Sequence, residues 1–155
     1  YITTPIITYL IEKKLNLSSI VVMIQKEVAE RICASPGTKN YGAISVLCQY
    51  YTAPEIVTLV SAGKFVPPPK VDSAVVKMTL RNTPAVSVSD EALFFKTVKA
   101  AFSQRRKTLL NCLYSAFPLD KSELTKRMNA AGINPVRRGE TLSLSEFAVL
   151  SENLK

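Results

Sequence analysis

The 155-residue chain contains no histidine. That absence removes Ser-His and Cys-His nucleophilic catalysis, and with them the commonest zinc ligand. Cysteine is scarce: Cys33, Cys48 and Cys112 are odd in number and lack metal-ligand spacing, so they read as reduced, buried small hydrophobes. No uninterrupted apolar run approaches the ~18 residues of a membrane span, and no basic-then-apolar leader opens the sequence. The expectation is a soluble, cytoplasmic protein. What is abundant excludes disorder, because 47% hydrophobic and 8% aromatic residues are enough to build a core. The length suits one domain, or one domain with a small helical appendage.

The formal net charge is +8, which points to a polyanionic partner. Residues 1–81 carry nine Lys/Arg against five Asp/Glu and residues 82–155 carry eleven against seven, so the excess is not a basic tail. It concentrates at Arg105-Arg106-Lys107 and at Arg137-Arg138.

Local patterns divide the chain in two. Thr4 as N-cap and Pro5 at the first helical position, followed by Ile6, Ile7, Leu10 and Ile11, predict a helix to about Leu15. Ser19–Gln25 is a β-branched apolar run, read as a strand buried on both faces. Helices are expected over Lys26–Ala34 and Tyr41–Tyr51, and strands over Glu55–Val60 and Ser73–Leu80. This alternation argues for an α/β arrangement with a mostly parallel sheet, its last two strands being close enough to pair antiparallel. Three strands are too few for such a sheet. Because Tyr1 stands directly at a helix cap, the expectation is the C-terminal part of a longer protein, cut within an α/β domain.

After the polar linker that begins at Asn82, the pattern is helical only. A long helix is expected over Asp90–Phe117 with Ser89 as its cap, a second over Lys121–Ala131 ended by Gly132, and a third capped by Ser143 or Ser145 and reaching Leu154. Residues 1–81 and 82–155 are the expected domains.

Two features carry candidate function. In Phe65-Val-Pro-Pro-Pro-Lys-Val-Asp-Ser-Ala-Val-Val76, three prolines make a stiff lead-in to a strand and can hold the Phe65 ring at a fixed point. That ring reads either as a core anchor or as a stacking platform for a planar ligand. Arg105 falls on the apolar face of the expected long helix, so it needs a specific partner: a carboxylate in its own domain, or a phosphate at the rim between domains. Arg137-Arg138 reads as a solvated turn unless it shares a face with Arg105.

Five segments in order, Tyr1-Ile-Thr-Thr-Pro-Ile-Ile7, Gln25-Lys-Glu-Val-Ala-Glu-Arg31, Tyr41-Gly42, the Phe65–Val76 stretch and Phe102-Ser-Gln-Arg-Arg-Lys-Thr-Leu109, carry a resemblance. The chain resembles the small-subunit ribosomal RNA adenine dimethyltransferases, the kasugamycin-sensitivity enzymes of bacteria. The resemblance implies the C-terminal half of a Rossmann-like methyltransferase domain followed by a small all-helical RNA-binding domain. It implies transfer of methyl groups from S-adenosyl-L-methionine to the exocyclic amines of two adjacent adenosines, with the small ribosomal subunit and its rRNA as partner. The cofactor site is implied to lie in the half of the family not represented here, and Tyr1 to adjoin the family's Asn-Leu-Pro-Tyr catalytic motif, so the chain alone is expected to be inactive. The motif's Asn and a backbone carbonyl would accept from the amine and localise its lone pair, while Phe65 stacks on the extruded target base. Lys70, Arg105, Arg106 and Lys107 are implied as phosphate contacts, with Arg137 and Arg138 as further RNA-binding candidates. The macrolide-resistance rRNA methyltransferases and a non-catalytic RNA-binding or ribosome-assembly module are the alternatives. A half-domain also leaves an open sheet edge, which invites self-association.

Overall fold

A computed structural model describes residues 2–155, so the expectation placed on Tyr1 lies outside the described residues. The chain separates into two compact units, one of residues 1–35 and 44–85 and the other of residues 36–43 and 86–155. The division falls a few residues beyond the expected boundary. The segment 36–43, assigned from sequence to the first domain and including the start of the helix expected from Tyr41, groups with the helical unit.

In the first unit, α1 (Thr3–Glu12), β1 (Ser19–Gln25), α2 (Lys26–Ile32), α3 (Ala43–Tyr51), β2 (Thr52–Val60) and β3 (Ser73–Leu80) follow in order. The sheet order is β1-β3-β2, and β3 pairs antiparallel with both neighbours. The expectation of a mostly parallel sheet therefore fails for the strands present: β1 and β2 run the same way but are separated by β3. Register is continuous from Ser19↔Thr79 to Gln25↔Ser73, whereas β2 shifts between Ile56 and Thr58.

Alternation along β3 buries Ala74, Val76 and Met78 completely, because successive side chains leave a strand on opposite faces. Ile20 and Ile24 of β1 join them, and Ile7, Ile11, Ala29, Ile32 and Cys48 complete the cluster. Burying one such aliphatic side chain contributes about 1.5–3 kcal/mol. The other face of β1 is open, with Val21 58% and Met23 54% exposed, so the reading of β1 as buried on both faces is corrected. β2 begins three residues earlier than expected and contains Pro54, which an edge strand tolerates because one side of its backbone needs no partner.

The second unit comprises α4 (Glu91–Ala101), α5 (Leu109–Tyr114), α6 (Lys121–Ala130) and α7 (Leu144–Asn153). The single long helix expected over Asp90–Phe117 is two helices joined by a non-helical segment. In a continuous helix the Leu109 and Leu110 N–H groups would donate to residues 105 and 106; instead they donate to the Arg137 and Pro135 carbonyls at 2.6 and 3.2 Å. The Thr108 side chain accepts from the Asn111 N–H and starts α5. Asp90 caps α4 by accepting from Leu93 N–H, replacing the expected Ser89, whose N–H and hydroxyl donate to Glu152. At the N-terminus of α1 the cap is Ile2, not Thr4, and no side chain accepts there.

Ser143 caps α7 in a reciprocal box with Glu146, and Gly132 ends α6 at φ +73°, a conformation that disfavours any side chain. The core of this unit contains Phe94, Leu109, Leu113, Leu124, Met128, Ile133, Phe147 and Leu150, all at most 2% exposed. Residues 36–43 are fastened within it: Gly37 N–H donates to Glu140 O at 2.7 Å, and the buried Tyr41 hydroxyl donates to Leu142 O at 2.9 Å. The Tyr41 ring meets Phe102 edge-on at 5.8 Å.

Candidate nucleic-acid interface

The Phe65 loop is held by backbone geometry on both sides. Ser61 precedes a short 3-10 turn at Ala62–Lys64 and caps it, its hydroxyl accepting from Gly63 N–H. Phe65 N–H donates to Ala62 O at 3.2 Å, fixing the ring's own backbone. Across the loop, Asp72 Oδ1 accepts from Ala62 N–H at 2.9 Å and Asp72 O accepts from Lys26 N–H at 3.0 Å. Asp72 thus ties together the two ends of the loop and the start of α2. The Val66–Pro67 peptide bond is cis, so the lead-in departs from a regular all-trans polyproline run.

Phe65 is half-buried and borders a hollow of about 390 Å³. Pro67 and Pro69 share that wall, while Thr3, Gln25 and Ser73 supply polar groups and Met23 and Ile24 apolar ones. No lining residue among the described residues is charged. A planar, neutral heterocycle suits such a surface: the ring offers a π-face, and the amide and hydroxyls offer donors and acceptors to its edge. Sequence reasoning found Phe65 but missed Asp72, Thr3, Gln25 and Ser73. A signal for Asp72 was available in its position just before β3, where a short carboxylate can reach backbone N–H groups. The pocket grouping was not available, because Gln25 and Ser73 meet only through the β1–β3 register and Thr3 joins them from α1.

The cations are distributed over both units. Lys70 stands exposed in the Phe65 loop. Arg105, Arg106 and Lys107 lie in the segment between α4 and α5, not on a helix, which removes the argument from an apolar helical face. Arg105 donates to the Lys39 carbonyl at 2.5 Å; among the described residues its partner is a backbone oxygen, not the carboxylate expected within its own domain. Arg106, Lys107 and Arg138 are exposed and make no ion pair among the described residues.

Arg137 differs from its neighbour. It reaches Glu146 through two bonds of 2.6 and 3.1 Å and donates to Thr141 as well, so the reading as a solvated turn is corrected for this residue. The hydrogen bonds from Arg137 hold the Glu146 carboxyl below its ordinary value of 4.5, with the Ser143 N–H adding to the effect and partial burial opposing it. Its own backbone carbonyl receives Leu109 N–H. Arg137 therefore links the starts of α5 and α7.

The α/β unit thus carries an uncharged hollow beside a pinned aromatic loop, and the helical unit carries exposed cations. The comparisons supply the family. The family model for ribosomal RNA adenine dimethylases matches residues 1–150, and the chain belongs to that family. It is 52% identical over 157 aligned positions to the ribosomal RNA small subunit methyltransferase A of Bacillus mycoides (strain KBAB4), covering 99% of this chain and 54% of that protein; the Bacillus cereus (strain B4264) protein of the same name matches equally. The chain spans about half the length of these curated relatives. Among solved structures, a dimethyladenosine transferase from Plasmodium falciparum superposes with a TM-score of 0.79 at 24% identity, covering 96% of this chain and 61% of that one. The 23S rRNA methyltransferase ErmE gives 0.66 at 20% identity, covering 99% and 61%. These two likenesses establish a shared fold: the α/β unit corresponds to part of a Rossmann-like methyltransferase domain and is followed by a small helical unit. No helix among the described residues is long and apolar enough to cross a membrane.

Proposed function

We propose that this chain is the target-base and RNA-binding portion of a small-subunit rRNA adenine dimethyltransferase, which methylates the exocyclic amines of two adjacent adenosines from S-adenosyl-L-methionine in the cytoplasm. The observation that carries the reading is the half-buried Phe65 ring at the wall of an uncharged hollow of about 390 Å³, on a loop pinned at both ends by Asp72. An extruded adenine loses its stacked neighbours, and an aromatic face returns ~1–3 kcal/mol of stacking per base. Fixing the ring through Phe65 N–H and Asp72 means that little ordering remains to be done when the base arrives.

S-adenosyl-L-methionine does not fit this hollow: none of its lining residues is acidic, and a ribose diol in a Rossmann-like site takes a carboxylate. We place the cofactor in the portion of the relatives that this chain does not span. What this chain supplies is the stacking face and the cations. Lys70, Arg105, Arg106, Lys107 and Arg138 would bind phosphates, positioning the RNA without selecting its sequence. Arg137 serves the fold through Glu146, which leaves less of its charge for RNA. The open face of β1, with Val21 and Met23, is the surface on which the rest of the methyltransferase domain would pack, and through which the isolated chain would self-associate.

The exposed, unpaired cations also favour a second reading, an RNA-binding or ribosome-assembly module that acts without chemistry. One experiment separates the two. In a protein with the relatives' full length that carries this sequence, Phe65→Ala is expected to lower methyl transfer to small ribosomal subunits roughly 5- to 150-fold, the equivalent of ~1–3 kcal/mol, with cofactor affinity unchanged. Equal loss of turnover and cofactor binding contradicts the stacking role, and no methyl transfer by the unaltered protein leaves the assembly reading.

A further inference from the structure

On the helical unit a second hollow, of about 360 Å³, lies along α4 and α5, within the ~300–1,000 Å³ span of small-molecule sites. Its charged side consists of Lys96 and Lys99, one turn apart on α4. No carboxylate lines it. Lys99 has no ion pair or hydrogen bond among the described residues, and Lys96 Nζ rests 4.5 Å from the centroid of the Phe117 ring, a contact that orients the ammonium without neutralising it.

Ala100 and Ala116 give the lining small apolar surfaces, and Gln104 shares it. The Gln104 carbonyl is fixed twice, by Lys107 N–H at 3.0 Å and the Cys112 thiol at 3.5 Å, while its side-chain amide has no partner among the described residues. The Ser103 and Ser115 hydroxyls donate to the Ala100 and Asn111 carbonyls, so each oxygen remains an acceptor toward the hollow.

Cations, small apolar surfaces and a free amide are the complements of a phosphate, a base face and a base edge. Resting on the RNA-binding reading above, we infer that this groove seats one unstacked nucleotide of the RNA strand. Its phosphate lies on Lys96 and Lys99, its base on Ala100 and Ala116, and its edge against Gln104. The residues directly after Gln104 indicate a strand rather than a free nucleotide: Arg105, Arg106 and Lys107 continue the positive charge, and only a polymer presents phosphates to all of them. An amide that both donates and accepts suits a base edge, whereas a bare phosphate engages only its donor half.

The test is fluorescence anisotropy of the 155-residue chain with a labelled single-stranded RNA of about ten nucleotides, within the ~4–16 that such surfaces cover, over a salt series. Lys99→Glu and the Lys96→Ala/Lys99→Ala pair are expected to weaken binding, the pair lowering the slope of log affinity against log salt by about 0.7 per lysine. Gln104→Ala is expected to weaken it with the slope unchanged. RNA carrying 4-thiouridine is expected to cross-link to residues between Lys96 and Ala116. If the lysine variants keep the wild-type affinity and slope while Arg106→Glu weakens binding, the groove is not a nucleotide seat and the RNA-binding reading stands. If none of these variants changes binding, that reading falls too. Adenosine monophosphate that abolishes the groove cross-link while the RNA stays bound through Arg106 and Lys107 overturns the assignment to the strand.

Discussion

Phe65 and Glu146 show two ways in which a single side chain acquires a role. Phe65 is an ordinary apolar residue, and its sequence neighbours could make it rigid but could not say what the ring faces. The structure supplies that: a wall of a hollow bounded by Gln25, Ser73 and Thr3. Glu146 closes the capping box of α7 and receives both arms of Arg137. Its carboxyl titrates below the ordinary 4.5, so its charged form stabilises the fold. That contribution is complete above pH 4.5 and disappears as the pH falls through the lowered folded-state value. Glu146→Gln keeps a side chain that can cap but removes the charge, and is expected to lower stability by up to about 1 kcal/mol at pH 7, the scale of a partly exposed pair. Urea midpoints of wild type and variant should converge as the pH falls below 4.5; a gap that persists there contradicts the assignment.

At the scale of elements, the break between α4 and α5 is the feature that sequence periodicity concealed. Phe94, Val98, Ala101, Leu109 and Leu113 are all buried, as a continuous stripe predicts, but the stripe is shared by two helices. The end of α4 packs closely against a residue distant in sequence: a Cβ added to Gly139 would lie 2.6 Å from the Ala101 carbonyl oxygen and 2.9 Å from its carbon. Both are backbone atoms and cannot swing aside. Gly139→Ala is therefore expected to destabilise the helical unit by about 1–3 kcal/mol, the usual cost of overpacking, seen as a lower thermal midpoint. An unchanged midpoint would mean that the approach is looser than described. Tyr41→Phe leaves the Leu142 carbonyl without its buried donor and should cost about 1–3 kcal/mol, again by thermal or urea unfolding. Local signals served well where local chemistry decides the outcome: β1 and β3 match their expected limits, Gly132 ends α6, and Ser143 caps α7. They failed at Asp90 and Arg137, where Ser89 bonds to Glu152 far along the chain and Arg137 reaches Glu146 in α7, and at Ile2, where no side chain caps the helix.

For the whole molecule, the sequence held the α/β character of the chain's first part. It could not hold the exchange of residues 36–43 into the helical unit, because the Gly37 and Tyr41 bonds that fasten them run to Glu140 and Leu142, far along the chain. Nor could it supply the strand order, in which β3 separates β1 from β2. The family assignment rests on length-wide similarity; the role of Phe65 rests on the hollow beside it. The central claim is that Phe65 stacks on an RNA base, and 2-aminopurine reports stacking directly. With 2-aminopurine at the target adenine of a small-subunit rRNA hairpin, binding to the chain is expected to change its fluorescence, with the change lost in Phe65→Ala and kept in Phe65→Tyr. The same change with Phe65→Ala as with wild type would contradict the account.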